Sequence, residues 1–249
     1  MSEGHPAAPW GWLRRQVPST RWSLVRRVHR NGEDASAEEF CRVYWYPLYT
    51  FLRSSGCTHV AAQDYVQSFL AEAVGGDVFC KADPARGKFR NFLMTLMARH
   101  VSMHRGREQA LKRGGGVAHV SFDWATAEAS YTADSMAKAP EDSFRLALAQ
   151  QLVREGVEAL RQRYGEKPDL FAELLPTLEG PPPDDTFEDM AMRLGMRPGT
   201  LRVEATRLRA RFAAEVRRVA GRILGMPSGP ALDAELREIF CSTPRPPAL

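Results

Sequence analysis

Arginine carries the clearest chemical bias in this 249-residue chain. Nine arginines stand between 193 and 222, at 193, 197, 202, 207, 209, 211, 217, 218 and 222, against Glu204 and Glu215, a local charge of +7. A second block holds Arg86, Lys88, Arg90, Arg99, Arg105, Arg107, Lys112 and Arg113 against Glu108 alone, again +7, although the whole chain carries only +4. Cations gathered in this way displace condensed counterions from a polyanion, which scattered charges do not. Nucleic acid is therefore the expected partner. A membrane-surface helix would need Trp, Phe or Leu over its whole opposite face, and neither block has that.

Other chemistry finds little support. His100 and His104 have the i, i+4 spacing of a metal pair, but no third ligand stands near them in sequence, and the helical period turns His100 toward a core. Ser68, Cys80 and His100 have no visible partner set for nucleophilic catalysis, and Gly114-Gly115-Gly116 lacks the Lys-Ser/Thr that completes a phosphate loop. The four cysteines, at 41, 57, 80 and 241, form no CxxC pair. No catalytic residue, metal or cofactor is expected, and the chain is read as a non-enzyme of the reducing cytoplasm. No stretch has the roughly 18 uncharged apolar residues of a membrane span.

The elements that must position the basic residues are helices, and the expected fold class is all-α: two small helical domains joined by an acidic linker. Helices are expected over about Ser36–Gly56, Ala61–Val74, from Lys88 onward, Glu141–Tyr164, Leu170–Leu178 and Leu232–Phe240. Over Ala61–Val74, Val66, Phe69, Leu70 and Ala73 share one face while Asp64, Gln67, Ser68 and Glu72 lie away from it. From Lys88, Phe89, Phe92, Leu93, Leu96, His100 and Met103 follow the inner-face rule, leaving Asn91, Thr95, Ala98, Ser102 and Arg105 opposite. The domain boundaries follow the composition: a disordered terminus over 1–18, a first domain over 19–113, an acidic linker without clear period over 114–143, a second domain over 144–223, and a tail over 224–249.

The sharpest local pattern runs from Asp185 to Arg211 and predicts a helix-turn-helix. Thr186 is suited to cap the first helix, Gly195 to the positive φ of the turn, and Pro198 to the first turn of the second helix. There Leu201, Ala205, Leu208, Phe212 and Val216 recur at helical spacing and face the first helix. The free face carries Thr200, Arg202, Val203, Thr206 and Arg207, with Ala210 small enough not to obstruct. A recognition helix meets base edges with that end, where arginine binds guanine bidentately and threonine meets a phosphate or a thymine methyl.

With these residues in order, the chain resembles the extracytoplasmic-function (ECF) group of bacterial RNA polymerase sigma factors from about Ser19 to Phe240. Asp64-Tyr65-Val66-Gln67-Ser68-Phe69 resembles the motif that grips the clamp helices of the β′ subunit. Phe89-Arg90-Asn91-Phe92-Leu93 and Arg99-His100 resemble the promoter-opening helix, and Phe187 to Arg211 the helix-turn-helix that reads the −35 element. Thr20 to Val25, Arg42 to Tyr49 and Leu111 to Gly115 are similar to a long-linker subgroup.

The resemblance implies a protein that performs no bond chemistry, binds core RNA polymerase at β′ and the β flap, and directs it to promoter DNA. Asp64, Gln67, Ser68 and Glu72 would meet polymerase. Arg202, Val203, Thr206 and Arg207 would read the −35 element, with Arg197 and Thr200 on phosphates. Arg90, Asn91, Thr95, Arg99 and Arg105 would hold the opened −10 strand. An anti-sigma factor is a further partner that the family implies. Two departures stand out: Ser68 occupies an acidic position of the family, and Glu204 one that often carries Arg or Lys. The linker is open to two readings, a mimic of nucleic acid inside polymerase or a solvated tether. The competing reading of the whole is a free-standing helix-turn-helix regulator that never joins polymerase.

Overall fold

The computed structural model describes residues 34–75, 88–108, 122–131, 139–180 and 184–241. Every regular element among them is helical. They are α1 Asp34–Ser54, α2 His59–Gly75, α3 Phe89–Glu108, α4 Trp124–Ser130, α5 Pro140–Arg163, α6 Pro168–Leu174 with a 3-10 turn Leu175–Leu178, α7 Asp184–Leu194, α8 Pro198–Ile223 and α9 Pro230–Cys241. No helix among the described residues is long and apolar enough to cross a membrane. The chain divides into two compact units, one of residues 1–144 with 223–226, the other of 145–222 with 227–249. The expected terminus over 1–18 and the stretches Thr20–Val25 and Leu111–Gly115 lie outside the described residues.

In the first unit α1 packs on α2 and α3, and α2 on α3. The seam is aromatic: Phe40, Tyr44 and Phe89 are buried, with the Phe89 ring edge-on to Tyr44 at 5.5 Å and to Phe40 at 6.3 Å. Pro47 lies inside α1 and has no N–H to return to the preceding turn. The helix runs through it because Val43, Tyr44, Leu48, Phe51 and Leu52 on either side are all enclosed. Burial of about 1.5–3 kcal/mol per large side chain outweighs the roughly 3 kcal/mol that an interior proline costs.

The α3 face differs from the periodic expectation. Leu93, Met94, Met97, Ala98, His100 and Val101 are buried, Phe92 and Leu96 are half-buried, and Met103 is 58% exposed. The buried arc is rotated toward Met94, Met97 and Ala98, because α3 is covered by two helices and not by one.

The segment 114–143 also departs from expectation. Its described part holds α4, which Asp123 caps by accepting the Thr126 N–H at 3.0 Å. Ala127 of α4 is buried. Trp45 of α1 stacks on Phe122 at 5.1 Å and meets Trp124 edge-on at 5.2 Å. Short apolar elements of this kind show no long period in sequence, and a few aromatic contacts are enough to dock one.

In the second unit a shared core joins Val157 and Leu160 of α5, Leu170, Phe171 and Leu174 of α6, Phe187, Met190 and Ala191 of α7, and Leu201, Ala205 and Leu208 of α8. The α7 helix begins at Asp184, so Thr186 is its third residue and not its cap. The helix thus starts three residues earlier than expected, at Asp184 in place of Phe187.

Candidate nucleic-acid and polymerase interfaces

The α7–α8 connection follows from three residues. Gly195 takes φ +63, a left-handed conformation that costs a side-chain-bearing residue about 1–2 kcal/mol. Met196 N–H donates to the Ala191 carbonyl at 3.0 Å, closing the end of α7. Pro198 opens α8, where its missing N–H and fixed φ cost nothing. Leu201, Ala205 and Leu208 are fully enclosed and fix the rotation of α8. That rotation leaves Arg197, Thr200, Arg202, Val203, Thr206, Arg207 and Ala210 all exposed, as the spacing predicts.

Local ties qualify this face. The Arg207 guanidinium donates to Glu204 at 2.6 Å, so this carboxylate holds one of the expected base readers. The Thr206 hydroxyl donates to the Arg202 carbonyl at 3.0 Å, and the Arg202 guanidinium lies 5.5 Å from the centre of the Phe187 ring.

The basic block over 193–222 is less available than its charge implies. Arg193 makes a two-pronged pair with Glu173 at 2.9 and 2.7 Å. Hydrogen bonding to Arg193 also holds the Glu173 carboxyl below its ordinary range. Arg209 donates to the carbonyls of Thr177 and Gly180, and Arg211 to the Tyr164 hydroxyl. Arg217 and Arg218 pair with Asp233 and Glu215. Arg209 and Arg211 therefore brace the fold, whereas exposed pairs such as Arg207–Glu204 are worth at most about 1 kcal/mol and open readily to a phosphate.

On α2, Asp64 and Gln67 are exposed, with Val60 beside them at 63% exposure. Val60, Asp64 and Gln67 share one stripe by their i, i+4, i+7 spacing; a single exposed valine gives no periodic signal, so sequence reasoning passes over it. Ser68 and Glu72 face elsewhere. The Ser68 hydroxyl lies 2.8 Å from His100 Nε2, and Glu72 lies 3.0 Å from His100 Nδ1. Ser68 and His100 thus do have partners, contrary to the sequence expectation, because His100 of α3 is brought against Ser68 and Glu72 of α2. The Ser-His-Glu order is that of a hydrolase relay, but Ser68 sits inside α2, where the surrounding backbone N–H groups are spent on the helix. The amides next to Ser68 in α2 are therefore not free to hold an oxyanion.

Of the residues expected on the −10 strand, Arg99 is exposed, Asn91 and Thr95 are half-buried, and Arg90 is enclosed at 7% exposure. Arg90 is thus withdrawn from the exposed face on which its motif position puts it, since the rotated arc of α3 includes its position. Thr95 donates its hydroxyl to the Asn91 carbonyl at 2.8 Å. The Arg105 side chain lies outside the described residues.

Glu128 of α4 is bound to α1 and α2. It accepts from the Tyr49 hydroxyl and from Arg53 at 2.8 Å, and it lies 3.4 Å from His59 Nδ1. Burial pushes its carboxyl up, but the Tyr49 hydrogen bond, Arg53 and His59 together bring it below the ordinary range. Burial and the same carboxylate push the Tyr49 hydroxyl strongly up. Cys41 is buried, and its thiol is pushed up to about 11, which leaves it protonated and unreactive at neutral pH. No known protein family, curated protein or solved structure matches this chain.

Proposed function

We propose that this chain is an RNA polymerase sigma factor of the extracytoplasmic-function kind, with two helical domains and a helix-turn-helix in the second. It binds core polymerase through the first domain, recognises promoter DNA, and acts in the cytoplasm without catalysing a reaction of its own. The observation that carries this reading is the division of α8 into an enclosed seam, Leu201, Ala205 and Leu208, and an exposed face of Thr200, Arg202, Val203, Thr206 and Arg207. A helix anchored on one side and basic at its N-terminal end is what major-groove recognition requires. Val203 at 49% exposure adds an apolar group suited to a thymine methyl.

The exposed stripe of Asp64 and Gln67 supports the polymerase contact. Ser68 and Glu72 enter it less directly, since both are engaged with His100. In the opening of the −10 region the leading residues are Arg99, Asn91 and Thr95, with Arg90 in a supporting position inside the domain.

Run-off transcription with purified core polymerase, on genomic fragments upstream of the protein's own gene, tests the reading. Transcripts that depend on the protein and disappear in an Asp64→Ala/Gln67→Ala variant are expected. Absence of transcripts together with absence of co-migration with core polymerase would favour a free-standing regulator. Salt-insensitive DNA retention would count against both.

A further inference from the structure

We infer that Glu72, His100 and His104 form a binding site for a divalent transition-metal ion of the zinc type, clamping α2 to α3. One ligand atom from each of the three residues lies within 4.8 Å of the other two. The two histidines stand one helical turn apart on α3, their ring centres 4.2 Å from each other, and Glu72 reaches them from α2. Two imidazoles and one carboxylate, with a fourth position left for water, make a donor set characteristic of zinc. The site does not depend on the transcriptional reading.

The hydrogen bonds around His100 have a direction that a metal completes. Ser68 Oγ lies 2.8 Å from His100 Nε2 and 3.2 Å from the Tyr65 carbonyl, and the carbonyl can only accept. If Ser68 donates to Tyr65, its oxygen must accept from Nε2–H, and a neutral ring then presents a bare lone pair at Nδ1. Nδ1 faces the Glu72 carboxylate at 3.0 Å, and in that arrangement a metal ion, like a proton, fits between the two lone pairs. Metal-bound histidines characteristically donate their second ring N–H in this way.

The surroundings fit the same assignment. His100 is buried, and Phe69 meets its ring edge-on at 5.6 Å. His104 is half-buried and the Glu72 side chain is 52% exposed, which gives an ion a path in from solvent.

Full-length protein stripped with EDTA and titrated with Zn²⁺ by calorimetry, and with Co²⁺ by absorption spectroscopy, tests the site. One equivalent should bind and raise the melting temperature, and Co²⁺ should give d–d bands without a thiolate charge-transfer band. Glu72→Gln and His104→Ala, both outside the fully enclosed core, should each weaken binding by about tenfold or more while keeping the helical circular dichroism. Ser68→Ala should weaken it by about tenfold through loss of the outer hydrogen bond. No saturable binding, wild-type affinity in the Glu72 and His104 variants, a thiolate band, or labelling of Ser68 by a fluorophosphonate would each overturn the assignment.

Discussion

Helices α3 and α8 are both basic and both follow from a helical period, yet only one of them has the face that its period predicts. In α8 the residues flanking Leu201, Ala205 and Leu208 are Arg, Thr and Glu, so only one rotation buries apolar surface. In α3 apolar residues stand at 89, 92, 93, 94, 96, 97, 98, 101 and 103, and several stripes satisfy the same rule. The choice among them is made by α1 and α2, which cover α3 along two lines. A period fixes a face only when the opposite face is expensive to bury.

The largest expected effects test this contrast. Leu208→Ala on α8 and Met97→Ala on α3 each remove a side chain with no exposure and should cost about 2–5 kcal/mol. Met103→Ala, on the residue that the period alone places inside, should change stability by less than about 0.5 kcal/mol. Urea denaturation monitored by circular dichroism reads all three. A cost at Met103 equal to that at Met97 would return α3 to its periodic face.

The packing of α8 against α5 can be tested with a substitution that ordinarily helps a helix. Replacing a helical glycine by alanine normally gains about 1 kcal/mol. At Gly156 of α5 a Cβ would lie 2.7 Å from Val216 Cγ2 and 3.3 Å from Phe212 Cε2. Val216 is β-branched and cannot swing aside cheaply. Gly156→Ala should therefore destabilise, and Gly156→Val should cost about 1–3 kcal/mol by the same denaturation measurement. A gain in either variant would mean that the α5–α8 approach is looser than described.

Arg202 and Val203 bring function into the comparison. Each lies on the exposed face of α8, so Arg202→Ala and Val203→Ala should leave stability nearly unchanged. In polymerase-dependent promoter binding each should cost about 1–3 kcal/mol on the preferred sequence and relax discrimination at one base pair. Arg99→Ala on α3 should instead weaken open-complex formation without changing the −35 preference. Identical promoter profiles for the two sets would dissolve the functional distinction between the helices.

Much of the architecture is legible in sequence where one residue type has one physical use. Gly195 and Pro198 mark the α7–α8 turn, and Val66, Phe69, Leu70 and Ala73 mark the inner face of α2. What escaped depends on residues distant in the chain. The His100–His104 pair lacks a third ligand only until Glu72 is brought across from α2. Arg90 carries a motif position, and nothing in the motif says that α3 turns it inward. The acidic linker conceals α4 because its anchors, Tyr49, Arg53 and Trp45, lie some 75 residues or more upstream of Glu128 and Phe122.

The α4 anchor gives a smaller, pH-dependent effect. Because the Glu128 carboxyl lies below its unfolded value, its contribution is present above the ordinary carboxylate range and is lost as pH falls through the lowered value. Its side chain is 38% exposed, so the contribution is limited to about 1 kcal/mol. Glu128→Gln should shift tryptophan fluorescence from Trp45 and Trp124 at neutral pH, and acidification should shift it in the wild type but little further in the variant. Equal acid responses would separate Glu128 from the docking of α4.

The smallest expected change isolates a single charge on α8. Glu204 lies on the helix proposed to meet DNA, where a carboxylate would repel phosphate, and it holds Arg207 at 2.6 Å. Glu204→Gln removes about one negative charge and releases Arg207, at a cost in stability of no more than about 0.5 kcal/mol for an i, i+3 pair. Promoter affinity of the polymerase complex should rise by a few fold, and the slope of log affinity against log salt should steepen by about 1. If affinity falls and the loss is confined to sites with a cytosine at one position, Glu204 is reading a base amino group, and the free face of α8 discriminates through its acid as well as its arginines.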